Sequence, residues 1–138
     1  MKTDNSIEEI TLAAMNRSAM NPESWVYSKV YSENNANEFE LEEDELPIFE
    51  VSSAKAKTII TTRRIIEKEN EKVCFIDFEE VDDVIYGDFK EQINKPELSK
   101  FRIVDMYGEQ HDFQMETGKA SIGLISCVKT VLKLKASL

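Results

Sequence analysis

The chain has 138 residues, 41% of them hydrophobic and 32% charged, a composition that suits one folded domain with an ordinary core and excludes a disordered chain. Its 27 acidic residues against 17 basic ones give a formal net charge of -10, which argues against nucleic acid and against an anionic membrane and favours a basic partner. The opening stretch MKTDNSIEEI lacks the apolar run of a secretory signal, and no apolar run approaches the about 20 residues of a spanning helix, so a cytoplasmic protein is expected.

The charge is unevenly placed. Residues 1–50 hold 12 acids and 3 bases, a net of -9, whereas the remainder holds 15 acids and 14 bases, a net of -1. The division expected is an acidic N-terminal helical extension and arm over 1–50, joined to a nearly neutral body over 51–138.

Ser6 to Met20 reads as a helix, with Ser6 as N-cap, Glu9 completing a capping box, and Ile7, Ile10 and Ala14 on one apolar stripe. Asn21-Pro22 ends it. The segment PESWVYSKVY that follows is assigned to a short helix, because proline suits a first helical position, although its alternation also fits a strand. Trp25, Tyr27 and Tyr31 are assigned to packing rather than to a recognition surface. Ser32 to Asn37 is a polar loop. In NEFELEEDELPIFEV, Phe39 and Leu41 alternate with acids ahead of Pro47, which predicts an edge strand or an extended arm.

Residues 55–89 read as consecutive strands. Thr58 to Glu67, TIITTRRIIE, is β-branched almost throughout and is read as one strand. A single strand would set Arg63 and Arg64 on opposite faces, one of them exposed or paired with a carboxylate such as Asp77. A turn around Asn70 leads to an alternating strand, Val73 to Phe78, and another strand begins at Val84-Ile85-Tyr86. Lys90 to Ser99 is a surface loop. Lys100 to Glu116 is the clearest hairpin, with Asp105 and Gly108 at the first and last positions of its turn. Thr117 to Leu138 forms a C-terminal helix with Thr117 as N-cap and Leu124, Val128, Val131 and Leu132 on one side. That stripe must be buried on the sheet.

A strand Ile59-Ile60-Thr61-Thr62-Arg63-Arg64-Ile65-Ile66, the apolar segment Cys74 to Phe78, the segment Val81 to Tyr86, the hairpin Phe101 to Phe113 and an amphipathic helix from about Lys119 together resemble the bacterial pleckstrin-homology-like (PH-like) domains. The resemblance covers roughly residues 50–138 and implies an α+β fold. In it, a bent antiparallel sheet or open barrel is closed at one end by the final helix. The lipid-binding members of that family hold headgroup phosphates with a basic cluster on the loop between their first two strands. Here only Lys55, Lys57, Arg63 and Arg64 offer one, and Arg63 and Arg64 are the candidate anion-binding residues.

No catalytic constellation emerges. His111 is the only histidine, and its neighbour Asp112 points to the opposite face of a strand. Cys74 and Cys127 stand in apolar contexts and read as buried, reduced thiols. Glu38, Glu40, Glu42, Glu43, Asp44 and Glu45 form the densest charge run. They lack the glycine and ligand spacing of a calcium loop, so a solvated face is expected rather than a metal, and Glu79, Glu80, Asp82 and Asp83 are read the same way. No cofactor is implied. The function expected is a non-enzymatic module whose Glu38–Glu45 surface binds a basic protein. An immunity or antitoxin-type protein that neutralises a basic toxin or nuclease is the alternative, and a lipid-headgroup module the second.

Overall fold

The computed structural model of the chain describes residues 3–17, 25–30, 39–86 and 98–136. The fold is α+β. Helix α1 spans Asp4–Asn16, followed by strands β1 (Ser28–Val30), β2 (Pro47–Ser52), β3 (Ala56–Thr61), β4 (Arg64–Glu69) and β5 (Lys72–Asp77). A 3-10 turn, Phe78–Glu80, leads into β6 (Val81–Ile85), β7 (Leu98–Asp105) and β8 (Gln110–Glu116), and helix α2 (Lys119–Ala136) follows. The strands form two antiparallel sheets, β1-β2-β3-β4-β5 and β6-β7-β8. Pairing does not pass from one sheet to the other among the described residues, so they do not close a barrel. No helix among those residues is long and apolar enough to cross a membrane.

Alternation along the strands decides what each face meets. Ile60 and Ile65 face each other across β3 and β4 and enter the main core, with Phe49, Val51 and Ile76 from the same sheet. Phe101, Ile103, Phe113 and Met115 come from the second sheet, and Leu124, Cys127, Val128 and Val131 from α2. Each such aliphatic or aromatic side chain, fully buried, contributes about 1.5–3 kcal/mol. The α2 stripe therefore lies where its periodicity places it. Ile59 and Ile66, one position out of phase, turn to the other side and are covered by Phe39 and Leu41 of the arm over residues 39–46.

Ile7 and Met15 of α1 belong to the main core, and α1 packs along α2. Strand β2 runs through residue 50, so residues from both sides of that position share one sheet. Buried polar groups tie the layers together. Gln114 of β8 donates from Nε2 to the carbonyls of Val51 (2.8 Å) and Ala56 (2.9 Å), and its Oε1 accepts from the Ser53 hydroxyl at 3.0 Å. The fully buried Glu116 accepts from the amides of Val26 at 2.9 Å and Tyr27 at 2.7 Å, fixing the approach to β1.

Several expectations are corrected. The α1 N-cap is Thr3, whose hydroxyl accepts from the Ser6 amide. Ser28–Val30 is a strand and not a helix, because it pairs with Phe49–Val51. The rest of the helical assignment at 22–24, with Tyr31, lies outside the described residues. Trp25 packs on Phe49 with ring centroids 5.3 Å apart, and Tyr27 is half-buried on the same core. Strand β2 is interior, between β1 and β3. Its proline is the first residue, beside a register shift, where the missing N–H costs no ladder bond.

The largest correction falls on Thr58 to Glu67, which is two strands joined by a tight turn at Thr62-Arg63. The Thr61 hydroxyl accepts from the amides of Arg63 (3.1 Å) and Arg64 (3.0 Å), a local bond that competes with a continuous ladder. The turn after β4 matches expectation, with Asn70 at φ 57 closing a two-residue hairpin. Cys74 is exposed rather than buried. Cys127 is buried, and burial pushes its thiol well above the usual range.

Candidate functional site

The β3–β4 turn brings Arg63 and Arg64 against carboxylates from α1 and from the arm. Arg63 donates from Nε and Nη2 to the two carboxylate oxygens of Asp4 at 3.1 and 3.0 Å, a bidentate pair that fastens the first turn of α1. Its Nη1 also lies 3.8 Å from Glu42. Arg64 makes a second bidentate pair, with Nε and Nη2 each 3.0 Å from Glu45, while Nη2 also donates to the Glu40 carbonyl at 2.8 Å. The Arg64 guanidinium stands 4.9 Å from the Phe75 ring centroid. Asp77 faces Arg64 across β4 and β5. Burial pushes its carboxyl above the ordinary range, against the pull of that arginine.

Glu45 is buried and accepts from Arg64, from the Thr61 hydroxyl and from the Glu42 amide. Burial alone would raise its carboxyl, but these donors outweigh that and hold it below the ordinary value. Asp4 follows the same pattern with Arg63 and Thr62. Glu40, Glu42, Glu43 and Asp44 are exposed, and Asp44 takes φ 71 in the turn that swings Glu45 inward. Glu38 lies outside the described residues. Of the acid run, Glu45 and, at longer range, Glu42 thus meet the two arginines, which were separate candidates in the sequence, while Glu40, Glu43 and Asp44 leave their carboxylates at the surface.

A second feature lies between β6 and α2. A groove of about 750 Å³ is lined by the apolar side chains of Val81, Val84 and Leu132. Glu79, Asp82 and Asp83 carry negative charge along one wall, and Lys129 and Lys135 carry positive charge along the other. Asp82, Asp83 and Lys129 are exposed. Strand β6 is the edge of its sheet, and among the described residues no strand pairs with its outer side. Tyr86, at the end of β6, stacks on Phe101 beneath the groove at 6.2 Å, and burial holds its hydroxyl well above its usual range. The sequence did offer a signal, since Asp82 and Asp83 interrupt an apolar strand, but it reads equally as a solvated edge.

His111 has a partner that adjacency in sequence does not suggest. Its Nε2 lies 2.9 Å from Oδ2 of the buried Asp105, across the β7–β8 turn. Asp112 instead forms an exposed cross-strand pair with Arg102, at 2.9 Å. Comparisons of this chain with protein-family models, with curated proteins and with solved structures find no match.

Proposed function

We propose that this chain is a non-enzymatic protein-interaction module of the PH-like kind, and that it holds a basic, partly apolar segment of a protein partner in the β6–α2 groove. One observation carries the reading: an apolar groove with Glu79, Asp82 and Asp83 on one wall and Lys129 and Lys135 on the other runs beside a strand edge that no described strand pairs with. An edge strand offers backbone donors and acceptors, a neighbouring groove offers side-chain burial, and carboxylates select for lysine and arginine. The net charge of -10 draws such a partner in from a distance. The PH-like assignment is supported by the order of elements from β2 onward, in which consecutive antiparallel strands are followed by one amphipathic closing helix.

The acidic surface used is that of β6. Glu45 already serves Arg64, and Glu42 stands beside Arg63. A basic effector such as a nuclease would be a partner of the required chemistry. Selection of displayed random peptides against the intact chain tests the proposal. The selected peptides are expected to be rich in lysine or arginine with apolar anchors, to bind more weakly as salt rises, and to lose affinity to an Asp82→Lys, Asp83→Lys variant. Peptides without basic residues, or binding unchanged by that variant, would overturn it.

A further inference from the structure

The end of the β7–β8 hairpin places three different metal-binding side chains together. Asp105 ends β7, Glu109 lies in the turn, and His111 is the second residue of β8. Cross-strand register sets His111 opposite Ile103, and alternation puts Ile103 and Asp105 on the same side of β7, so imidazole and carboxylate meet on one face. Oδ2 of Asp105 and Nε2 of His111 are 2.9 Å apart, and one donor atom from each of the three residues falls within 4.8 Å of the others.

These separations suit a single ion. Nitrogen and oxygen ligands sit about 2.0–2.2 Å from a tetrahedral zinc, so two donors on one ion are about 3.4 Å apart. The Asp105–His111 separation of 2.9 Å is a hydrogen-bond distance close to that value. Glu109 is exposed, and rotation of its side chain covers the small remaining gap. Asp105 is only 5% exposed; its Oδ1 accepts from the Tyr107 and Glu109 amides at 2.8 and 3.0 Å, which holds the carboxylate in place and leaves Oδ2, beside His111, to meet a cation. The only cationic side chain that the described residues place against it is His111, which is charged only when protonated. We propose that Asp105, Glu109 and His111 bind one divalent first-row transition-metal ion, zinc being the reference case.

The donor set defines the class. One imidazole with two carboxylates favours zinc, cobalt or nickel over magnesium and calcium, which prefer all-oxygen sites. Three protein ligands leave at least one coordination position for water or for a group from outside. Met106, next to Asp105 in sequence, lines the β6–α2 groove, whereas Asp105, Glu109 and His111 do not. The inference does not depend on what the groove binds.

The test is calorimetric titration of the metal-free full chain with zinc, and with cobalt for its visible spectrum. A Cys74→Ser background removes the exposed thiol as a competing ligand. Expected are one equivalent of zinc bound, a cobalt spectrum displaced by zinc but not by magnesium, and affinity lowered at least tenfold by His111→Gln and by Glu109→Gln. Glu109 is exposed in the turn and His111 is half-buried on β8, and circular dichroism checks that each variant is folded. The proposal is overturned by the absence of stoichiometric binding in the folded protein, or by binding that both variants leave unchanged.

Discussion

Arg64 and Glu45 show how far an ion pair at the edge of a core reaches. The Glu45 side chain is fully buried and holds the arm by its own turn, while Arg64 spans the arm, the β3–β4 turn and the Phe75 ring. Removing Arg64 leaves the buried Glu45 charge without its cation, so Arg64→Ala is expected to cost about 3 kcal/mol in urea unfolding. Removing both partners together is expected to cost less than the sum of the two single changes. The carboxyls of Asp4 and Glu45 lie below their ordinary values in the folded state. The stability they contribute is therefore complete above the ordinary carboxylate range and is lost as pH falls through their lower folded values. Unfolding followed from pH 6 downward should show that loss, and Arg64→Ala should flatten it. An identical pH profile in the variant would contradict the pairing.

At the scale of elements, two devices fix how strands meet. Glu116 satisfies two backbone amides from the segment before β1, so Glu116→Ala orphans both, at a cost of about 2 kcal/mol. Hydrogen exchange at the Val26 and Tyr27 amides should accelerate more than exchange in β7. Gly108 sits at φ +81 with no atom within 4 Å of where a Cβ would be, so Gly108→Ala should cost about 1 kcal/mol from backbone strain alone. The Gly108 turn was legible in the sequence because its chemistry is local, and so were the Asn70 turn and the α2 stripe. The break inside TIITTRRIIE was not. Seven of its ten residues are β-branched and favour a strand, and the turn depends on the Thr61 hydroxyl and on carboxylates 19 and 59 residues distant in the chain. The Asp105–His111 pair lay within reach, since a hairpin turning at Gly108 brings those positions together.

For the whole molecule, counting charge along the chain pointed to residues 1–50, and the fold redistributes what that count means. Glu45 is turned inward onto Arg64 and Glu42 lies beside Arg63, whereas Asp82 and Asp83 on β6 stay exposed beside a groove. A one-dimensional tally has no access to that, because burial depends on which strands become neighbours. The module reading rests on this groove. Its most direct test is a two-dimensional amide NMR spectrum of the intact chain, titrated with a lysine-rich peptide carrying apolar anchors, taken from the selection above. The account predicts shifts concentrated at Val81–Ile85 and in the last turns of α2, with slowed exchange of β6 amides as the peptide pairs with the free edge. Shifts centred on Glu40–Glu43, with β6 and α2 unmoved, would contradict it.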